Sequence, residues 1–383
     1  HVVAELSDPD NLDVARLAGR DEVHWVVGQE VIGRITVQSC RQSGLSVVYQ
    51  EFLDFDGDEI YFTQQPSLVG KTYFDAQLSF PKCAVMGLVR DSKPVLNPAD
   101  DTVIGADDQI IVVAADDSEI ELGIAPESVD ASAVVATAAG PAEPERTLVL
   151  SVNPVLPVMI RELDEYVAPG SEVVLVAPGP MPPLPELQNL AVRQVSGDPT
   201  KRAVLDTLRV AEFDHIILLA DVDSYGAERA DGRTLVTLLH LRDIAERAEV
   251  NLNIDSETID DRNREVDEVG RADDLIVSDK LVALMLSQSS ENKGLADVFT
   301  TLFKSEGSEV YLRPAELYVA PGAEVNFYTV LEAARRRGET AIGYRVAEYA
   351  HSGAEAYGVR VNPAKGDLIS FSKADRVIVL AED

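Results

Sequence analysis

The sequence predicts an α/β chain made of two tandem copies of one module, each a doubly wound parallel sheet followed by a helix-turn-helix hairpin and a small α+β lobe. Three observations predict this. The stretch from Trp25 to Tyr61 recurs without gaps at Leu275 to Tyr311, 250 positions later. Val27 falls on Val277, Gln38 and Ser39 on Gln288 and Ser289, Gly44 and Leu45 on Gly294 and Leu295, and Val48 on Val298. Gly57, Glu59 and Tyr61 fall on Gly307, Glu309 and Tyr311. Chance supplies roughly two identities in such a window, at about one match in sixteen. A period this long describes architecture before it describes any motif. The second observation is the alternation of strand-length apolar runs with helical spacing after Arg146, which signals a parallel sheet. The third is the change after Gly57 to short alternating strands separated by turn residues.

Taken in order, Val2 to Leu6 and Val23 to Val27 read as strands, with Asp8 to Ala18 irregular or helical between them. Gly28 to Cys40 carries Val31, Ile32 and Ile35 at helical spacing; Gly44 breaks it, and Leu45, Val48, Tyr49, Phe52 and Leu53 form a second amphipathic segment. This hairpin returns at Ser278 to Ser290 and Gly294 to Phe303. Strands at Ile60 to Phe62, Ala84 to Val89 and Ile110 to Ala114 make the small lobe. In the second sheet, strands are expected at Leu148 to Val152, Glu172 to Ala177, Leu190 to Val195, His215 to Ala220 and Val250 to Ile254. Helices are expected at Val155 to Val167, Lys201 to Val210 and Gly232 to Arg247. The divisions are 1–53, the end of the first sheet with its hairpin; 54–122, the first small lobe; 123–145, a flexible Ala/Pro/Ser/Glu-rich linker; 146–303, the second sheet with its hairpin; and 304–383, the second small lobe. Residues 1–6 match 251–256, so by the repeat the first module is truncated, lacking about four strands at its N-terminal side. The chain, opening on His1 and an apolar run, reads as a fragment.

The formal charge of −33 repels nucleic-acid phosphates and anionic lipid, and attracts cations. Cys40 and Cys83 are too few for a disulfide framework and suit a reducing cytosol. No apolar run approaches the roughly 20 residues of a membrane-spanning helix, and no signal peptide is visible.

A Rossmann-like sheet invites a dinucleotide, but the turn after its first strand, Ser151-Val152-Asn153-Pro154-Val155-Leu156-Pro157, has no glycine. The second strand ends Val176-Ala177-Pro178, where a ribose-binding carboxylate belongs, so NAD is disfavoured. No nucleophile elbow, phosphate loop or paired His/Cys metal spacing occurs, and no catalytic residue is assigned. Two acidic clusters remain as candidate cation ligands: Asp54, Asp56, Asp58 and Glu59 beside the first hairpin, and Asp255, Glu257, Asp260 and Asp261 at the carboxyl edge of the second sheet. The first is not an EF-hand, since its glycine comes one place early and Gln65 stands at the twelfth position. In a chain this acidic, the plain alternative for both is a solvated face.

Val195-Ser196-Gly197-Asp198-Pro199-Thr200 and Phe213 to Ala220, with Gly70-Lys71, Asn97-Pro98 and Gly105-x-Asp107 in the small lobe, resemble the potassium-conductance regulator (RCK, TrkA-like) domains. Leu163 to Glu172, Asp231 to Leu235, Leu241 to Ile244, Leu312 to Tyr318 and Ile342 to Arg345 are more specifically similar to the cytosolic part of Castor and Pollux channels and their bacterial relatives. The resemblance implies a non-enzymatic cytoplasmic gating ring, four chains giving eight RCK modules beneath a covalently linked cation pore. It implies a response to a ligand, whether calcium, another cation or a nucleotide, with calcium the candidate, and hairpins that join neighbouring domains. The alternatives are a TrkA-like nucleotide-binding subunit of a potassium transporter and, more remotely, a nicotinamide-dependent oxidoreductase.

Overall fold

A computed structural model describes all residues except 56, 124–128, 136–142, 181, 264–273, 304–306 and 383. The first module contributes β1 (Val2–Leu6), α1 (Leu12–Gly19), β2 (Val23–Val27), α2 (Gly28–Arg41) and α3 (Leu45–Leu53). Its small lobe holds β3 (Glu59–Thr63), α4 (Tyr73–Ser79), β4 (Ala84–Arg90), β5 (Lys93–Leu96) and β6 (Gln109–Ala114). The second sheet runs β7 (Arg146–Leu150), α5 (Leu156–Tyr166), β8 (Ser171–Ala177), β9 (Leu190–Ser196), α6 (Arg202–Leu208), β10 (His215–Leu218), α7 (Val222–Tyr225), α8 (Ala227–Ala248), β11 (Ile254–Thr258) and β12 (Asp274–Val277). The second hairpin is α9 (Ser278–Glu291) and α10 (Lys293–Leu302). The second small lobe holds β13 (Glu309–Pro314), β14 (Glu324–Asn326), α11 (Phe327–Arg335), β15 (Thr340–Arg345), β16 (Val359–Val361), β17 (Leu368–Ser370) and β18 (Arg376–Ala381).

The chain divides into two compact bodies that cut across the linear order. One holds residues 1–46 and 141–291, and the other 47–140 and 292–383. Like is therefore grouped with like: sheet-bearing parts in one body, small lobes in the other.

In the first body the second sheet is wholly parallel, in the order β12-β11-β10-β7-β8-β9. The direction of winding reverses between β7 and β10, which makes the gap above them the expected ligand crevice. Among the described residues, the first module supplies the parallel pair β1–β2, in register from Val2 opposite Val23 to Leu6 opposite Val27. The first-module helix α2 packs on α5 and against β10 to β12, while α9 packs on β1, β2 and α2. Each hairpin's first helix thus lies against the other module's strands. Gly33 permits the α2–α5 crossing: a Cβ there would stand 2.9 Å from Val158 Cγ1.

One expected element is displaced. The fifth strand forms at Ile254–Thr258 rather than at Val250 to Ile254. Helix α8 ends on Glu249 in the left-handed region (φ 54°), and the residues that follow only carry the chain back to the sheet. Its strand residues, Ile-Asp-Ser-Glu-Thr, are all buried although four of the five are polar, so no apolar run marked them.

In the second body the lobes share one antiparallel plan, β3-β6-β4-β5 and β13-β18-β15-β16. Each has a register shift just before a glycine, Gly87 or Gly343. A Cβ on Gly87 would meet Val95 O at 2.3 Å, and one on Gly343 would meet Arg360 O at 2.4 Å, so neither bulge admits a side chain. Helix α4 is closed by a capping box in which the Thr72 hydroxyl accepts from Asp75 N–H and Asp75 accepts from Thr72 N–H. Within the expected linker of 123–145, residues 129–135 make defined contacts with the second lobe. Asp130 N–H donates to Thr329 Oγ1, Val135 N–H to Tyr318 O, and Ala133 is buried with Tyr318 and Val319. Ala133 and the partly buried Val129 and Val134 reach the second lobe's core, a long-range contact that composition alone does not reveal.

Candidate functional site

The crevice at the switch point is lined by Leu150 and Ser151 after β7, Leu218, Leu219 and Asp221 after β10, Pro199 and Thr200, and the start of α8. Ser151 sits at φ 78°, its N–H donating to Val176 O, so the chain leaves β7 through a strained turn without glycine. Arg233, the cation of this lining, donates to Asp198 Oδ1 at 2.7 Å and lies over the Tyr225 ring at 4.2 Å. Asp198 also accepts from Thr200 N–H and Oγ1–H. The positive charge that would meet a phosphate is thus already held by a carboxylate.

Beside the crevice lies Glu257, at the carboxyl end of β11. It accepts from Asn153 Nδ2–H at 2.7 Å, Ala220 N–H at 3.0 Å and Ser278 Oγ–H at 2.6 Å. Those donors follow β7, β10 and β12, so one buried carboxylate ties together four strand ends. Burial raises its pKa, with the three donors opposing. The glycine-free turn has a use here: Asn153 caps the approach to α5 through Val155 N–H and spends its amide on Glu257 and Ala220 O.

The other acidic candidates of this edge separate. Asp255 is buried in β11 opposite Ile217 and Asp274. Asp260 accepts from the Arg262 backbone and guanidinium, its pKa lowered by those bonds. Asp261 is exposed in a short 3-10 turn. The solvated-face alternative fails for Asp255 and Glu257, which are 1% and 3% exposed. Asp231, on α8, accepts from Ile259 and Asp260 N–H. Burial, then Asp231 and Asp260, raise the pKa of Asp279.

At the first cluster, Asp56 lies outside the described residues. Asp54 closes on Phe55 N–H, Glu59 accepts from the Tyr61 hydroxyl, and Asp58 accepts from Asn362 Nδ2–H at 2.9 Å. Burial raises the pKa of Asp58. Burial, then Asp58 and Asp54, raise that of Glu51, a residue the sequence reading passed over. Among the described residues no group of three or more His, Cys, Asp or Glu side chains is placed to hold a metal ion.

A further network was not legible in advance. Arg41 of α2 donates to Glu145 at 3.0 and 3.2 Å, and His215 Nε2 stands 3.4 Å from the same carboxylate. Burial opposes the charge on Glu145, but the bonds from His215 and Arg41 hold its pKa down to about 2. Asn253 Nδ2–H donates to Cys40 O at 2.7 Å. In the same body, Asp274 of β12 accepts from Gly44 N–H, Ser46 N–H and the Ser46 hydroxyl. The groups that lock α2 and the start of α3 therefore belong to the second module, and spacing along one chain gives no signal for them.

A tandem pair of RCK regulator modules is the class this fold defines. The superposition on the gating ring of human SLO3 covers 99% of this chain and 81% of that one, with a TM-score of 0.71 at 11% identity. Residues 29–130 match the family model described as Castor and Pollux, part of voltage-gated ion channel. The chain is 30% identical to the ion channel CASTOR of Lotus japonicus over 100% of its own length and 49% of that protein's. It is 31% identical to the probable ion channel POLLUX of Arabidopsis thaliana over 100% of this chain and 50% of that one. For the probable ion channel CASTOR of Oryza sativa subsp. japonica the figures are 31%, 91% and 44%. The similarity to the Castor and Pollux proteins runs along the whole of this chain, which spans about half the length of these relatives. They are named as ion channels, not as enzymes. Among the described residues no helix is long and apolar enough to cross a membrane.

Proposed function

We propose that this chain is the cytoplasmic regulatory part of a Castor/Pollux-type cation channel, assembling as a ring of four copies and eight modules below the pore. The observation that carries the reading is full-length similarity at about 30% identity to Castor and Pollux channels, joined to a fold shared along nearly the whole chain with a gating ring. The mechanism follows from linkage: a ligand opens a pore only through different affinity for two ring shapes. Carboxylates brought together against burial and mutual repulsion supply such a difference, because a divalent cation relieves that cost. Glu51 and Asp58 carry that cost, each raised by burial and Glu51 further by Asp58 and Asp54, but the three are not placed to hold a metal by themselves and need ligands from a neighbouring copy. We assign the sensed ligand as calcium, held there or at Asp260 and Asp261 together with side chains of a neighbouring copy.

Light scattering and negative-stain microscopy of the longer channel protein test assembly; a fourfold ring is expected, and a stable monomer at all concentrations overturns it. Calcium titration calorimetry tests the ligand. Saturable heat that Asp54→Asn/Asp58→Asn diminishes is expected, and no heat at millimolar calcium removes calcium from the reading while leaving the ring intact.

A further inference from the structure

Lys365 stands in the turn between β16 and β17 of the second small lobe and is buried there. Its Nζ donates to Gln77 O and Phe80 O, both at 2.6 Å, and its backbone N–H to Pro81 O at 3.3 Å. Its carbonyl accepts from Phe327 N–H at 3.0 Å, at the start of α11. A helix end leaves carbonyls without intrahelical donors, and the amine fills that need at the end of α4. One residue thus fastens a turn of the second lobe to the last turn of a helix in the first. Its neighbours Ala364 and Gly366 are exposed, and neither belongs to the second lobe's apolar core. The turn can therefore swing outward without that core coming apart.

Two N–H bonds satisfy a neutral amine, whereas the ammonium form carries a third proton and a charge. Among the described residues no carboxylate touches Nζ, and both of its acceptors are uncharged. The titratable groups on the surrounding elements supply no counter-charge. The Cys83 thiol acts on Nζ electrostatically, but burial pushes it up to about 11, so it is neutral at ordinary pH. Lys82 reaches Glu119 at 3.2 Å, Asp58 accepts from Asn362, and Asp75 is spent in the capping box of α4. Tyr73 and Tyr328 are phenols raised further by burial, and Asp367 is exposed on the far side of the turn. An ammonium buried without an anion is costly, and burial lowers the Lys365 pKa to about 7.

We propose that Lys365 is a proton-released latch: as a neutral amine it holds the 362–366 turn against the end of α4, and on taking up a proton it lets that turn swing out to solvent. In the open position water hydrates the ammonium, so the open state binds protons more tightly than the closed one. Proton concentration then selects between the two, and acid opens the latch. The response runs upward from about pH 7; below it the closed state is protonated too, and further acid adds little. This gives the small lobes a response to pH that is separate from any cation site. The inference stands apart from the channel reading.

The test is hydrogen exchange of the whole chain, read at single amides by NMR and expressed as protection factors, which remove the intrinsic pH dependence of exchange. The Lys365 N–H should lose about tenfold in protection between about pH 8 and about pH 6, most of it above pH 7. Its protection should lie at least about tenfold below that of the β15 amides and ignore mild urea, the mark of local opening. Lys365→Met, which cannot take up a proton, should make the profile flat. Protection of the wild-type Lys365 amide that does not change with pH overturns the proposal. So does protection equal to that of β15 with the same urea dependence, which is global unfolding alone. An unchanged pH profile in Lys365→Met overturns it as well. The two wild-type measurements decide the matter even if that variant does not fold.

Discussion

The two small lobes share a strand order and a turn, yet the turns do opposite work. Asn97-Pro98-Ala99-Asp100 in the first corresponds to Asn362-Pro363-Ala364-Lys365 in the second. Asp100, half exposed, meets Arg335 at 3.0 Å near the end of α11, and Arg335 lies over the Phe74 ring at 5.0 Å. Lys365, 1% exposed, donates from Nζ to Gln77 O and Phe80 O, both at 2.6 Å, at the end of α4. Each turn thus reaches the last turn of the other lobe's helix, where carbonyls lack intrahelical donors. One does it with a surface ion pair and the other with a buried amine. The difference teaches that a repeated backbone constrains where a residue sits, while burial decides what that residue is worth.

The largest break in this comparison is Lys365→Ala. It leaves two buried carbonyls without donors and opens a void, and should cost about 4 kcal/mol in urea unfolding. A loss below about 1 kcal/mol would show the buried amine to be dispensable. Next comes Thr340→Val. Its hydroxyl bonds Asn97 Oδ1 at 2.7 Å, Gln77 Nε2 at 3.0 Å and the Tyr73 hydroxyl at 3.2 Å. The variant removes the donor to Asn97 Oδ1, leaving it without that bond as Asn362 Oδ1 is without a partner among the described residues, for about 2 kcal/mol by the same measurement.

The third prediction concerns pH. Burial lowers the Lys365 pKa from 10.5 to about 7. Above that value the folded chain has released a proton that the unfolded chain keeps, so stability should rise with pH towards the unfolded pKa. It should fall again as pH drops through about 7. Between pH 7 and about 8.5 the gain should be about 1.5 kcal/mol, and Lys365→Met should flatten it. The buried Cys83 thiol, pushed up to about 11, works in the other direction at higher pH, so the comparison stops there. The smallest effect is Asp100→Ala. Its pair with Arg335 is solvent-screened, and a loss under about 1 kcal/mol is expected, vanishing in high salt. A loss equal to that of Lys365→Ala would erase the distinction between the two turns.

Much of the architecture was legible because it rests on periodicity. The hairpins at α2–α3 and α9–α10 follow from the spacing of Val31, Ile32 and Ile35 and their repeat. The apolar strands β8 and β10 follow from runs of Val, Leu and Ile. Strand β11 was misplaced because its burial is supported by polar bonds, which no hydropathy pattern shows. Helix α4 and strand β5 were unread because Tyr73–Ser79 and Lys93–Leu96 are too short for a period to emerge. The polar groups that matter most, Glu257 with Asn153 and Ser278, or Lys365 with the end of α4, are joined across 21 to 288 positions of sequence. Such pairs are products of topology, and a single sequence carries no trace of them.

The contact at Gly33 bears on how motion would pass through the sheet-bearing body. Where α2 crosses α5, one of the two surfaces is bare backbone facing Val158. The rest of the crossing is side chain on side chain, with Val37 and Cys40 of α2 buried among Leu156, Met159 and Ile160 of α5, so sliding one helix along the other would mean repacking that cluster. Arg41, at the far end of the same helix, adds a charged tie to Glu145, so α2 is held to the second module at both ends of the crossing.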